Sequence, residues 1–221
     1  MNGIWFNRNG GPVVADFCIE EDLLEKGYEN IAGIDEAGRG ALFGPVVAAS
    51  VMFLDDFIRN NQEAWILEIN DSKLLTPRKR ERLARAILAT AKAVGIGMAT
   101  NKEIDKKNIH AASFEAMRRA VTKMSFCPDF LLVDGFQLPG IHHDQLGLRQ
   151  GDRRSISVAS ASIVAKVLRD QMVSNLDDVY EGYAFAKHKG YGTKDHFRAL
   201  DEKGPTVFHR FSFRPLNQEK G

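Results

Sequence analysis

Cysteine is scarce in this sequence: two in 221 residues, Cys18 and Cys127, neither in a Cys-x-x-Cys pair. Two thiols cannot build a disulfide framework, so the chain reads as a reduced, cytosolic protein held together by its core. An excess of charge of one sign is also missing. The net charge is +1, so any contact with nucleic acid must rest on local patches and not on the overall field. There is no long hydrophobic run either. The longest apolar-rich stretch, Val46 to Leu54, contains Ser50 and is too short to span a bilayer. The N-terminus lacks a basic start followed by an apolar core, so no secretory signal is read. No repeat, low-complexity tract or Pro/Gly/Ser linker divides the chain. Residues 1–30 read as a leader, with a turn cluster at Asn7 to Pro12 and a short helix within Phe17 to Tyr28. Residues 31–221 read as one domain, and a hydrophobic content of 44% suffices for a sizeable core.

What is present is a succession of short apolar runs and amphipathic stretches. Ile31 to Asp35 and the valine-rich Pro45 to Leu54 predict two buried strands with a glycine-rich turn between them. Thr76-Pro77 predicts a helix start with proline at its first position, the helix running on to Ala93 with Leu83, Ile87 and Leu88 on its apolar face. Val94 to Thr100 predicts a strand. His110 to Met124 predicts an amphipathic helix with Phe114, Met117 and Val121 on one side. Phe130 to Gly135 predicts a short buried strand and Asp144 to Gln150 a further one. Val158 to Tyr180 predicts a long helix, its Val164, Val167, Leu168, Met172, Val173 and Leu176 following the three-to-four spacing. The class is α/β. The sheet is expected to be mixed, because the first two strands are too close in sequence for a parallel crossover.

Asp35 and Glu36 stand side by side at the end of an apolar strand. Adjacent acids are common on surfaces, and Asp55-Asp56 and Asp177-Asp178 are further pairs. Here the context differs, because a carboxylate starting near the sheet core is costly unless bonded, paired or metal-bound. The pair is either a site or a buried structural pair. Asp134 repeats the pattern at the end of "FLLVDG", and two strands each delivering a carboxylate suit a hard divalent cation. Asp152 follows the possible strand Asp144 to Gln150, but beside Arg153 and Arg154 it reads by itself more readily as an exposed ion pair than as a third site acid. Gly38, Gly40 and Gly44 do not fit the dinucleotide fingerprint, and no Lys-Ser/Thr follows for a P-loop. They form either a plain tight turn or one whose bare backbone admits a polymer, and Arg39 among them suits a phosphate-bearing substrate. Two basic stretches, Lys73 to Arg85 and Lys187 to Arg198, are either solvated faces or phosphate grips.

"GIDEAGRG", "DSK", "VDG", "GD" before "SASIVAKVLRD", "HKGYGT" and "HRFSF" occur in this order between Ile31 and Phe213. In these motifs the chain resembles ribonuclease HII, the type 2 ribonuclease H. The resemblance implies a ribonuclease H-like mixed β-sheet flanked by α-helices, with a helical C-terminal portion. It implies four catalytic, metal-binding acids, Asp35, Glu36, Asp134 and Asp152, holding two Mg²⁺ or Mn²⁺ ions during catalysis. It implies that Gly38, Arg39 and Gly40 sense a 2′-hydroxyl, that Tyr191 stacks on the sugar after the ribonucleotide, and that Ser72 and Lys73 contact the backbone. Asp170, in "VLRD", is taken as structural. The implied substrates are RNA/DNA hybrids and DNA duplexes containing ribonucleotides, cut 5′ of the ribonucleotide to leave 3′-hydroxyl and 5′-phosphate ends. The protein is expected to act as a monomer away from membranes. Three positions depart from the family pattern: Ala41 for proline, Phe43 for a small residue and Gln150 for lysine. Two rivals are a two-metal nuclease restricted to long hybrids and a non-catalytic binder that keeps the fold.

Overall fold

The computed structural model describes residues 15–60, 63–69 and 72–219; Asn7 to Pro12 and Asp71 of "DSK" lie outside them. In chain order the elements are α1 (Cys18–Glu25), β1 (Ile31–Ala37), β2 (Val46–Met52), α2 (Asp55–Arg59), α3 (Pro77–Thr90), β3 (Ala93–Ala99), α4 (Asn101–Lys107), α5 (Ile109–Thr122), β4 (Phe130–Asp134), β5 (Asp144–Leu148), α6 (Ile156–Ser174), α7 (Phe185–His188) and α8 (Lys194–Lys203). The strands form one sheet in the order β3-β2-β1-β4-β5. β1 pairs antiparallel with β2 and parallel with β4; β2–β3 is antiparallel and β4–β5 parallel. The sheet is therefore mixed, as the short β1–β2 connection requires.

Helices cover both faces. α6 lies on one face with α3 and α1, where Phe53, Leu83, Ile87, Ile156 and Ile163 form the larger core. Burying each such apolar side chain is worth about 1.5–3 kcal/mol. α5 and α4 cover the other face, with Ile34, Met52, Ile104 and Met117. Glycines set how close the helices come. A Cβ on Gly33 of β1 would lie 2.1 Å from the backbone of Ser157, and one on Gly97 of β3 would lie 2.1 Å from the Ala116 carbonyl. The α7–α8 region adds an aromatic cluster, in which Phe43 stacks on Phe185 at 3.8 Å. Among the described residues no helix is long and apolar enough to cross a membrane, and Cys18 and Cys127 form no disulfide.

Several boundaries differ from the sequence expectation. α3 stops at Thr90 because Ala91 turns extended and Lys92 donates to the Met52 carbonyl, handing the chain to β3. Its buried stripe is Arg80, Leu83, Ala84 and Ile87, while Leu88 is exposed. α6 starts two residues early, at the Ser155 cap, and ends at Ser174, where turns take over from Asn175. Met172 lies on its exposed side. Gly33→Ala should cost about 3 kcal/mol by forcing α6 off β1, read as a lower urea midpoint; a wild-type midpoint would show that the layers are not in hard contact.

Candidate active site

Side chains alternate along a strand, so β1 sends Gly33, Asp35 and Ala37 toward α6 and Ile34 and Glu36 toward α5. The parallel ladder pairs Ile34 with Val133, and one step further brings Asp35 beside Asp134. Two of the four acids thus meet through strand register. Asp35 is 7% exposed, its Oδ1 accepting the Glu36 N–H at 2.6 Å. Burial pushes its carboxyl well above the usual range, and the charges of Glu36 and Asp134 push the same way, while a bond from Ser162 pulls back. Ser162 has one proton to give. With it on Asp35, Ser72 donates to Ser162 at 3.0 Å. Ser72 is buried, so its hydroxyl stands behind Asp35 and not at the surface; Lys73 next to it is exposed.

Asp152 comes from a single 3-10 turn, Gly151–Arg153, just before α6. That turn is tied to Asp134, whose Oδ1 accepts the Gly151 N–H at 2.7 Å and whose carboxylate also draws the Asp152 N–H. Burial raises the Asp134 pKa, and these bonds with the charges of Lys73 and Arg39 hold it back. Gln150, one of the departures, enters the turn at φ +56°. Glu36 faces the other way and accepts from Arg39 Nη1 at 3.1 Å, while Arg39 Nη2 meets His110 Nδ1 at 2.9 Å. Burial raises the Glu36 pKa against the pull of Arg39. Asp35, Glu36 and Asp134 have each taken a donor, and among the described residues no three Asp, Glu, His or Cys side chains close around a point fit for an ion. Asp170 is structural in this arrangement: it pairs with Lys166 at 2.9 Å and Arg80 at 3.5 Å. Arg80 is thus removed from the supposed phosphate grip, donating also to the Ser72 and Leu75 carbonyls.

The glycine turn is held from beneath by two buried arginines that the motif reading did not single out. Arg169 donates to the carbonyls of Phe43, Pro45 and Lys189 at 3.0–3.1 Å. Arg210 donates to those of Gly44 and Arg39 at 3.0 and 2.8 Å. Both are fully buried. Gly38 has φ +97°, and a Cβ there would sit inside Arg169, 1.9 Å from Nε. Gly40 is the opposite case, where a Cβ would meet nothing within 4 Å. The turn is thus packed on one side and bare on the other. Ala41 is fully buried and bridges to Tyr191. The Tyr191 ring has Lys166 Nζ at 4.8 Å and the Arg169 guanidinium at 5.2 Å.

Tyr191 is in turn seated by a histidine chain whose tautomers the partners decide. The Tyr191 carbonyl accepts from His196 Nδ1 at 3.0 Å, so the other ring nitrogen of neutral His196 accepts, from His209 Nε2 at 3.0 Å. His209 Nδ1 then accepts the Thr206 N–H at 2.8 Å. Burial lowers both pKa values to about 4. The unfolded chain therefore takes up protons first, and this stability is full above pH 6.5 and lost as pH falls toward 4. His209→Leu should destabilise the protein at neutral pH, with the gap to wild type narrowing by about 2 kcal/mol across that window. Urea unfolding at several pH values measures it; a gap independent of pH would mean His209 titrates alike folded and unfolded.

Comparison with known proteins identifies the family and the fold. The family model for ribonuclease HII matches residues 32–215. The ribonuclease HII of Caldicellulosiruptor saccharolyticus is 46% identical over 197 residues, which is 89% of this chain and 93% of that one. Among solved structures, ribonuclease H2 from Pyrococcus horikoshii OT3 superposes with a TM-score of 0.69 at 22% identity, over 86% of this chain and 96% of that chain. Bst-RNase HIII in complex with Mn²⁺ gives a TM-score of 0.63 at 19% identity, over 87% and 69%. These two likenesses establish the fold, a ribonuclease H-type sheet with flanking helices. The match to family and relative alike extends over nearly all of the chain: it belongs to the ribonuclease HII family and is a ribonuclease H.

Proposed function

We propose that this enzyme hydrolyses the phosphodiester 5′ of ribonucleotides set in duplex DNA or in RNA/DNA hybrids, leaving 3′-hydroxyl and 5′-phosphate ends. The observation that carries the reading is the pairing of crowded, desolvated acids with a backbone turn left bare at Gly40. A 2′-hydroxyl is the consistent difference between RNA and DNA at the sugar. A glycine with open space over it lets that sugar approach the peptide groups of Gly38-Arg39-Gly40, and Arg39 carries a charge for the phosphate. Tyr191, flanked by Lys166 and Arg169, offers a ring for the next sugar. Lys73 lies exposed with its charge felt at Asp134, a place for the backbone.

The chemistry of the donor set suits hard divalent cations, Mg²⁺ or Mn²⁺, and holding one would require its side chains to turn from the donors they now engage. The set is made of carboxylate oxygens, and burial and mutual repulsion raise the cost of their charge. Asp35, Glu36, Asp134 and Asp152 would hold such ions. Bound there, two ions supply an activated water and neutralise charge on the leaving oxygen. The chain's own part is to hold Asp35 through Ser162, to hold Asp134 through the 151–152 amides, and to keep Arg39 beside Glu36. Such chemistry suits removal of ribonucleotides from DNA in the cytoplasm.

A duplex with a single ribonucleotide, incubated with Mg²⁺ or Mn²⁺ and the ends mapped, tests the reading. Cleavage of long hybrids alone would favour the rival nuclease, and no cleavage under varied metal and pH would refute the proposal. Asp35→Asn should abolish cleavage by orders of magnitude while stabilising the metal-free protein by about 1 kcal/mol. Because the native pKa of Asp35 is raised, its charge costs most above that pKa, so the gain should shrink as pH falls. An unstabilised variant at pH 8 would remove the electrostatic argument. Gly40→Ala should leave stability within about 0.5 kcal/mol of wild type yet weaken cleavage at single ribonucleotides; undiminished cleavage would take the turn out of substrate recognition.

A further inference from the structure

α1 lies upstream of both the motif block and the family match, yet it carries one of the most deeply buried acids in the chain. Glu20 is fully buried, and its Oε1 accepts from Ser155 Oγ at 2.6 Å and from the Ser157 N–H at 3.0 Å. These are the first residues of α6, reached three positions after Asp152. Helix closure does not call for a glutamate there: Ser155 already caps α6 by accepting the Val158 N–H at 3.2 Å. Burial costs the Glu20 carboxylate and raises its pKa, so a further gain must offset it. Part is its place at the positive end of a long helix. The rest is tethering. Ile156 N–H also bonds to the Asp16 carbonyl at 3.1 Å, and Asp16 bridges to Ser155, so residues 16–20 grip the α6 start twice.

We infer that Glu20 is a positioning residue for Asp152. The Asp152 turn is clamped at both ends. Upstream, the Gly151 and Asp152 amides bond to Asp134. Inside the turn, the Arg154 and Ser155 amides both bond to the Gly151 carbonyl at 3.0 Å. Downstream, Ser155 is fastened to Glu20. Remove the downstream clamp and the turn keeps its link to Asp134 while losing its fixed height on the α6 axis. Asp152 then no longer has one place relative to Asp35 and Asp134. This inference rests on the proposed use of Asp152 as a metal-holding acid, and it assigns the segment before β1 a share in building the site.

The test uses the full chain with Glu20→Ala, Glu20→Gln and Glu20→Asp. Amide hydrogen exchange is followed over residues 150–157, Mn²⁺ binding is measured by calorimetry, and unfolding midpoints are recorded. Glu20→Ala should speed exchange at 151–157 while β1 and β4 stay protected, and should weaken Mn²⁺ binding about tenfold. Glu20→Gln, whose carbonyl can accept both bonds, should restore most of both. If Glu20→Ala does not fold, Glu20→Asp, one methylene too short, should show the same defects. A variant that lowers the unfolding midpoint but leaves exchange at 151–157 and the Mn²⁺ dissociation constant unchanged overturns the inference. Wild-type protein that binds no Mn²⁺ would overturn the metal reading instead, and the exchange arm would still decide whether Glu20 holds the turn.

Discussion

Two guanidiniums buried beneath the glycine turn are what the region around that turn depends on. The chain between β1 and β2 has carbonyls at Arg39, Phe43, Gly44 and Pro45 that need donors. Arg169 from α6 and Arg210 from near the C-terminus supply them. Each such bond has a charged donor and is worth about 1.5–3 kcal/mol, which offsets the cost of burying a cation. Residues far apart in sequence are thereby locked into one object: the turn, α6, and the loop bearing Tyr191. Gly38 is required because Arg169 occupies the space a side chain would need. The large Phe43 does not loosen the turn; it is buried against Phe185 and anchors the turn to the aromatic cluster.

The acids obey the opposite logic. Asp35, Glu36 and Asp134 are gathered where their charges raise one another's pKa values or are held down only by borrowed donors. Asp170, in the same molecule, shows a settled carboxylate: it is surrounded by Lys166, Arg80 and Arg169. A fold optimised for stability alone would treat every acid like Asp170. The contrast between carbonyls supplied with charged donors and under-compensated carboxylates is what the proposed reading of this region rests on.

Much of this was legible in the sequence because it depends on local pattern. The strand carrying Asp35-Glu36, the strand ending on Asp134, the proline-started α3 and the long α6 all announce themselves by periodicity and punctuation. The motif order carried the family. The illegible parts are pairings between distant residues. Nothing in "VLRD" distinguishes the buried Arg169 from a surface arginine, and Arg80 sat within a basic run that read as either a solvated face or a phosphate grip. The Glu20–Ser155 bond spans 135 positions, and Ser72 gave no sign that its hydroxyl points inward to Ser162. The overrun of α3 arose because helix propensity continued past the point where strand pairing with Met52 took over.

Asp35 and Asp134 hang from hydrogen-bonded neighbours in the middle of the sheet, one register step past Ile34 and Val133. Interstrand spacing is close to constant, about 4.8 Å in any sheet, so the ladder fixes the backbone separation of this pair against loop drift and leaves only its rotamers to vary. In the metal centre proposed above, most of the adjustment to an ion of different radius would fall to the other two acids, Glu36 near the strand end and Asp152 on its tethered turn. Those two, and the contacts behind them, would form the adjustable jaw of a vice whose fixed jaw is the β-ladder itself.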